Sequence, residues 1–128
     1  MMGRIEVFDN PQPNRHYVIR HEVEEFTSVC PETGHPDFAE MSISYIAGDT
    51  CIELKSLNLY LHGYRNEGIY YEAATNKILD DLVDVCSPLW MEIESRWSTR
   101  GGIHSVITAE YHREDALDDD DVFDESGA

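Results

Sequence analysis

The spacing of apolar residues changes along this chain, and that change most constrains the fold. Met41, Ile43 and Tyr45 alternate with polar residues, which is the two-residue period of a β-strand. From Leu54 onward, apolar residues recur every three or four positions, which predicts a helix ending between residues 63 and 68. The chain therefore combines strands with helices.

The same test predicts three further strands and a second helix. A strand is expected within residues 15–29, and a helix over residues 71–85, which Pro88 ends. Two strands, over residues 91–97 and 103–111, flank a Gly-Gly turn. The predicted order is strand, strand, helix, helix, strand, strand.

Two hairpins with a helical pair between them indicate an antiparallel α+β domain. A single sheet of this kind has two open edges and one uncovered face. Because edge-to-edge pairing with further copies would cover long edge strands, we expect a ring-shaped homo-oligomer.

The length of 128 residues allows one domain with its own core and is too short for two. We expect an N-terminal extension over residues 1–14, the domain over residues 15–111, and an acidic tail over residues 112–128. The density of like charges in the tail predicts that it is solvated and disordered.

Acidic residues greatly outnumber basic ones. The 26 Asp and Glu residues against 9 Lys and Arg give a formal charge of −17. Such a surface repels phosphate, so we expect no direct contact with nucleic acid. Molar intracellular salt would screen this charge, because the Debye length is then about 3 Å; we therefore expect a halophilic source organism.

The sequence also indicates a cellular compartment. No segment has the roughly 18–20 consecutive apolar residues of a membrane span, and the first residues have no signal-peptide core. Three widely spaced cysteines, Cys30, Cys51 and Cys86, argue against a disulfide framework and a cysteine-rich zinc site. We expect a cytoplasmic protein with free thiols, no membrane contact and no metal.

Cys30 is the leading candidate for chemistry. It opens a loop ending at Asp37, in which Pro31, Gly34 and Pro36 exclude a helix. A thiol at a strand end, with a carboxylate returned near it, can act as nucleophile and proton donor. On spacing alone, a buried structural cysteine is the commoner outcome.

Two long motifs resemble those of a known enzyme family. The active-site loop of the 7-cyano-7-deazaguanine reductases, the nitrile reductases of queuosine synthesis, is similar to residues 26–39, FTSVCPETGHPDFA. The signature octapeptide of that family is similar to residues 53–60, ELKSLNLY. With shorter matches at residues 64–66 and 99–103, the resemblance covers about residues 15–111 and points to the short, single-module members.

The resemblance implies a tunnelling fold, a ββααββ unit assembled into pentameric rings that stack in pairs, with the site between subunits. Cys30 would attack the nitrile carbon to form a covalent thioimide, Asp37 would supply the proton, and NADPH would deliver hydride twice. The product would be 7-aminomethyl-7-deazaguanine. A protonated thioimide accepts hydride readily because its carbon carries positive charge.

The resemblance also implies residues that bind substrate. Glu72 would accept hydrogen bonds from the amino and ring N–H groups of the guanine-like edge. Tyr71 stands where the family commonly has His, and its hydroxyl can donate one hydrogen bond. The same base would receive backbone and carboxylate contacts from Ile52, Glu53 and Leu54.

Two cationic positions near the NADPH phosphates are matched by Lys55 and Arg100. Asn58 stands where the family commonly has Lys, and this loss of a cation leaves NADPH, NADH or ammonia open as the co-substrate.

Three other functions remain open at this point. An archaeal branch of the family consists of amidinotransferases that add ammonia to the nitrile carried on transfer RNA, forming archaeosine. A ring protein could instead bind a deazapurine without turning it over. A zinc cyclohydrolase of the same fold would need converging ligands, for which His35, His104 and His112 are too loose a set.

Overall fold

The computed structural model describes residues 3–114. The predicted disorder of the acidic tail therefore lies, from residue 115 onward, outside the described residues. The elements in chain order are β1 (Val7–Asp9), β2 (Val18–Val29), β3 (Pro36–Ile46), β4 (Thr50–Ile52), α1 (Leu54–His62), α2 (Tyr71–Cys86), β5 (Trp90–Trp97) and β6 (Val106–His112).

A four-stranded antiparallel sheet in the order β2-β3-β5-β6 forms the main layer. Along β5 and the first part of β3 every second residue is buried, because alternate side chains leave opposite faces of a strand. Ile43 of β3 lies opposite Ile93 of β5, and both are fully buried. Helix α2 packs on this apolar face through Ile78 and Leu82. The antiparallel α+β prediction is confirmed.

Two short strands were not predicted. Strand β1 pairs with β4 in a separate two-stranded sheet, with Phe8 opposite Cys51. Next to it, the backbone N–H of Glu53 donates to the carbonyl of Glu6 at 2.8 Å, and that of Glu6 donates to Ser56 Oγ at 2.9 Å. Residues near the N-terminus therefore hold the start of α1, although the division of the chain at residue 14 stays a prediction.

A β-bulge interrupts β2. The register passes from Val23 opposite Met41 to Phe26 opposite Ala39, so two residues of β2 face one residue of β3. Before the bulge the odd-numbered residues of β2 face the core, and after it the even-numbered residues do, beginning with Phe26. The bulge thus turns Ser28 toward the core side of the sheet.

The structure has no helix, among residues 3–114, that combines the length and the hydropathy needed to cross a membrane.

Candidate active site

The backbone around Cys30 is held on both sides. Its N–H donates to the carbonyl of His35 at 2.8 Å, and its carbonyl accepts from the N–H of Gly34 at 2.8 Å. Gly34 has φ of 78°, a left-handed conformation that favours glycine. The preceding residue, Val29, bonds through its own N–H and carbonyl to the chain that leads into α2. The loop therefore presents Cys30 in a defined position.

The Cys30 thiol lies in surroundings that favour the thiolate. Hydrogen bonds from the Thr33 hydroxyl and from the backbone N–H groups of Thr33 and Glu32 lower the pKa of the thiol, against the smaller opposing effects of desolvation and of Asp37. Cys30 is also partly exposed. A partly exposed thiol with a lowered pKa is the form in which cysteine acts as a nucleophile.

Asp37 is almost fully buried, with 3% of its surface exposed. The Tyr71 hydroxyl donates to its Oδ1 in a long hydrogen bond of 3.4 Å. The Arg100 guanidinium forms an ion pair with the same oxygen. Arg100 comes from the β5–β6 connection, where Arg100 and Ile103 exchange backbone hydrogen bonds around two glycines of positive φ. Three distant segments therefore meet at one carboxylate.

Tyr71 is held in place by ring stacking and by a buried chain of hydrogen bonds. Its ring stacks on that of Trp97, with centroids 4.1 Å apart and planes inclined by 10°. Trp97 Nε1 donates to Ser95 Oγ at 2.9 Å, the Ser95 and Thr75 hydroxyls lie 2.7 Å apart, and the Thr75 hydroxyl donates to the Tyr71 carbonyl at 2.9 Å. This chain ties the first turn of α2 to β5.

A cavity of about 390 Å³, which we call the thiol cavity, is lined by Cys30, Asp37 and Tyr71 among other residues. Its volume lies within the usual range of small-molecule sites. It joins five of the predicted site residues with three that the sequence did not suggest, namely Cys30, Asp37, Tyr71, Glu72 and Arg100 with Pro31, Tyr70 and Ser105.

Glu72 is exposed at the start of α2, on the wall of this cavity. Tyr70, just before it, donates through its hydroxyl to the Glu32 carboxylate. No motif marks Tyr70 or Ser105, because they reach the cavity only through the packing of α2 and β6 against the loop.

The other predicted binding residues line a different cavity. This α1 cavity, of about 1010 Å³, lies between β2 and α1. Its wall includes four of the predicted residues and three acidic residues of β2, namely Glu53, Leu54, Lys55 and Asn58 with Glu22, Glu24 and Glu25. Within one chain the predicted site is therefore divided between two cavities.

Ile52 lines neither of these two cavities. Only 2% of its surface is exposed, and its N–H donates to the Tyr45 hydroxyl at 2.9 Å. Its side chain belongs to the core and is not available to a ligand.

Glu53 caps the N-terminus of α1. Its two carboxylate oxygens accept from the N–H groups of Lys55 at 2.9 Å and Ser56 at 2.7 Å, and these bonds lower the pKa of Glu53. The backbone N–H groups of Lys55 and Ser56 are thus already used and do not remain for a phosphate. Lys55 and Asn58 are exposed on the α1 side of the cavity. The Lys55 ammonium and the Asn58 amide are groups that can donate hydrogen bonds to phosphate oxygens.

Arg100, also expected near the phosphates, lies in the thiol cavity and contacts Asp37. Among residues 3–114, no three His, Cys, Asp or Glu side chains come together in a group that could hold a metal ion.

Comparisons with known proteins extend over most of the chain. Residues 36–116 match the family model described as QueF-like protein. The chain is 50% identical, over 107 residues, to a protein of Rhodopirellula baltica named NADPH-dependent 7-cyano-7-deazaguanine reductase. The aligned region covers 84% of this chain and 88% of that protein. A protein of Chlorobaculum tepidum with the same name is 50% identical over 109 residues, 85% of this chain and 93% of that one.

A solved structure shows the same fold. The apo form of the archaeosine synthase QueF-Like aligns with a TM-score of 0.70 and 21% identity, over 75% of this chain and 94% of that one.

Proposed function

The chain belongs to the QueF-like protein family, and from that premise we propose that it is an NADPH-dependent nitrile reductase. The reaction converts 7-cyano-7-deazaguanine to 7-aminomethyl-7-deazaguanine, in keeping with the names of relatives that are 50% identical. The observation that carries the proposal is the meeting of Cys30, Asp37 and Glu72 in one cavity of about 390 Å³.

The first step uses Cys30 and Asp37. The Cys30 thiolate attacks the nitrile carbon, an S–C bond forms, and an electron pair of the C≡N bond moves to nitrogen. Asp37, which has taken up the proton that left the Cys30 thiol, gives it to that nitrogen and so completes a covalent thioimide. The lowered pKa of Cys30 supports the attack, because it increases the fraction of thiolate near neutral pH.

Reduction then proceeds at the same carbon. Two NADPH molecules, bound one after the other, would each supply one hydride ion. After the first, the C–S bond breaks and its electron pair returns to Cys30, leaving an imine. The second reduces this imine to the amine, and protons from Asp37 and solvent complete it. The chain's own part is to hold the carbon on Cys30 until the first reduction is complete.

Substrate recognition is assigned to Glu72 and Tyr71. The Glu72 carboxylate accepts from the N–H donors of the guanine-like edge, a task suited to a group with acceptors only. Tyr71, stacked on Trp97, holds one side of Asp37. Lys55 and Asn58 would hold the NADPH phosphates.

We infer that neighbouring chains complete the site. Glu53 and Lys55 lie in the α1 cavity, apart from the thiol cavity. Strands β2 and β6 are the edges of the sheet, and pairing β2 of one copy with β6 of the next would form a closed ring without open edges. A ring could bring the α1 cavity of one subunit to the thiol cavity of another.

The test is incubation of the protein in high salt with 7-cyano-7-deazaguanine and NADPH, NADH or ammonia in turn. The expected product, formed with NADPH, is heavier than the substrate by four hydrogens. Gain of one ammonia instead would identify an amidine-forming enzyme. Tight binding with no change in mass would identify a non-catalytic binder, and either result would refute the proposed reduction.

A further inference from the structure

Ser28 carries a polar group that the proposed mechanism has not used. Its hydroxyl is the only buried side-chain nitrogen or oxygen without a hydrogen-bond partner among residues 3–114. The residue is 0% exposed, so solvent does not supply a partner. Buried hydroxyls in native proteins are nearly always paired, and each exception calls for a reason.

The position of Ser28 in the sheet connects it with the reaction. Ser28 on β2 lies directly opposite Asp37 on β3. Directly opposed residues leave the same face of a sheet with Cβ atoms about 5 Å apart. Two side chains as short as serine and aspartate can meet across that distance by rotation about their χ angles.

The Asp37 carboxylate has an oxygen available for this contact. Within the described part of the chain, its hydrogen bonds from Tyr71 and Arg100 both end on Oδ1. Oδ2 is left for another donor. Cys30 is a weaker candidate for the Ser28 hydroxyl, because its thiol already receives hydrogen bonds from Thr33 and Glu32.

Arg100 and proton transfer compete for the same atom. The guanidinium is paired with Oδ1, and Arg100 and Asp37 both line the thiol cavity. The guanidinium must leave this oxygen before a proton can pass from it to a substrate nitrogen. Once Arg100 leaves, Asp37 loses its strongest contact and needs another group to orient it.

We propose that Ser28 is a positioning residue that donates its hydroxyl hydrogen to Asp37 Oδ2 once substrate has displaced Arg100 from Oδ1. This hydrogen bond keeps Oδ1 directed toward Cys30 and the substrate nitrogen. The inference rests on the proposed nitrile reduction, because it concerns the proton that Asp37 supplies there. The need for a small side chain does not by itself explain a serine at position 28. Ala39, on the same face of the neighbouring strand β3, is small and buried and has no hydroxyl.

The test compares Ser28→Ala with wild type in steady-state and single-turnover reduction. We expect kcat to fall about tenfold, as for loss of a hydrogen bond to a charged group, while KM stays within about twofold. The covalent adduct on Cys30, seen by intact mass, should still form. The midpoint of thermal unfolding should not fall, because the variant removes an unpaired buried hydroxyl.

Two serines of the same sheet serve as matched controls. Ser95→Ala removes a buried hydroxyl that has partners, so its unfolding midpoint should fall where that of Ser28→Ala does not. Ser44→Ala removes a buried hydroxyl that is bonded to Arg20, outside the thiol cavity, and should keep the wild-type kcat. Ser28→Thr retains the donor and should recover most of the activity per folded molecule.

Wild-type kcat in Ser28→Ala would overturn the role of Ser28 alone, with nitrile reduction intact. A folded Ser28→Thr as slow as Ser28→Ala would do the same, because only the packing at this position would then matter. A wild-type protein that forms neither adduct nor amine would overturn the proposed function, and this role with it.

Discussion

Replacing Thr75 by valine tests whether the buried hydrogen-bond chain beneath Tyr71 stabilises the protein. Valine has nearly the shape of threonine but no hydroxyl. The Thr75 hydroxyl donates its hydrogen to the Tyr71 carbonyl. In the 2.7 Å hydrogen bond between Thr75 and Ser95, Ser95 must therefore be the donor. The Ser95 oxygen in turn accepts from Trp97 Nε1. Both hydroxyl hydrogens, of Thr75 and Ser95, then have an acceptor, and replacing Thr75 by valine removes the hydroxyl that links the other two groups.

The expected loss follows from burial. Thr75 and Ser95 are both 0% exposed, so the Ser95 hydroxyl hydrogen would be left without an acceptor. An unpaired buried hydroxyl costs about 1–3 kcal/mol, and we expect the free energy of unfolding to fall by about 2 kcal/mol. With a urea slope of about 1–3 kcal/mol per molar, the midpoint should fall by about 1 M.

The assay is urea unfolding in high salt at one protein concentration, followed by far-UV circular dichroism. The double variant Thr75→Val with Ser95→Ala should lose less than the sum of the single losses, because it removes the unpaired Ser95 hydroxyl. Thr108→Val, at an exposed position of β6, is the matched control and should change stability by less than about 0.5 kcal/mol. Equal midpoints for Thr75→Val and Thr108→Val would refute the reasoning.

Further predictions concern the chemistry of the thiol cavity. Cys30→Ala should abolish both turnover and the covalent adduct seen by intact mass, and unchanged turnover would contradict the mechanism. Asp37→Asn should slow formation of the adduct, because the proton that completes the thioimide comes from Asp37, and should lose amine formation. Glu72→Ala should weaken substrate binding by about 2 to 4 kcal/mol in calorimetry, because donors of the base lose their acceptor, whereas equal affinity would remove Glu72 from the site. Thr33→Val should raise the pKa of Cys30, since the lost hydrogen bond stabilises the thiolate, and should move the pH profile of iodoacetamide alkylation upward. Cys86, whose pKa is raised by burial to about 12, should stay unmodified in the folded protein.

The long elements were predictable because their signals are local. A strand was expected at Met41, Ile43 and Tyr45, and β3 forms over Pro36–Ile46. A helix was expected over residues 71–85, and α2 forms over Tyr71–Cys86. Alternation and helical periodicity arise from the backbone geometry of each segment alone. Strands β1 and β4 have three residues each, which is too short to show a period, so only their pairing reveals them.

The motifs predicted much of the site, but they did not predict that its residues are divided between two cavities. Cys30, Asp37, Tyr71 and Glu72 were all expected in one site and do line one cavity. The roles of these residues stay predictions. The contact of Arg100 with Asp37 joins residues 63 positions apart, and no local pattern encodes a contact of that range.

The sequence by itself determined which segments become strands and helices, where the rigid loop lies, and which residues are capable of chemistry. The tertiary structure decided which of those residues meet. The bulge in β2 shows why: a shift of one residue reverses the face of every side chain beyond it, and it alone turns Phe26 and Ser28 to the side of Asp37. Such a shift depends on pairing with β3, so its effect on the site appears only when the sheet is assembled.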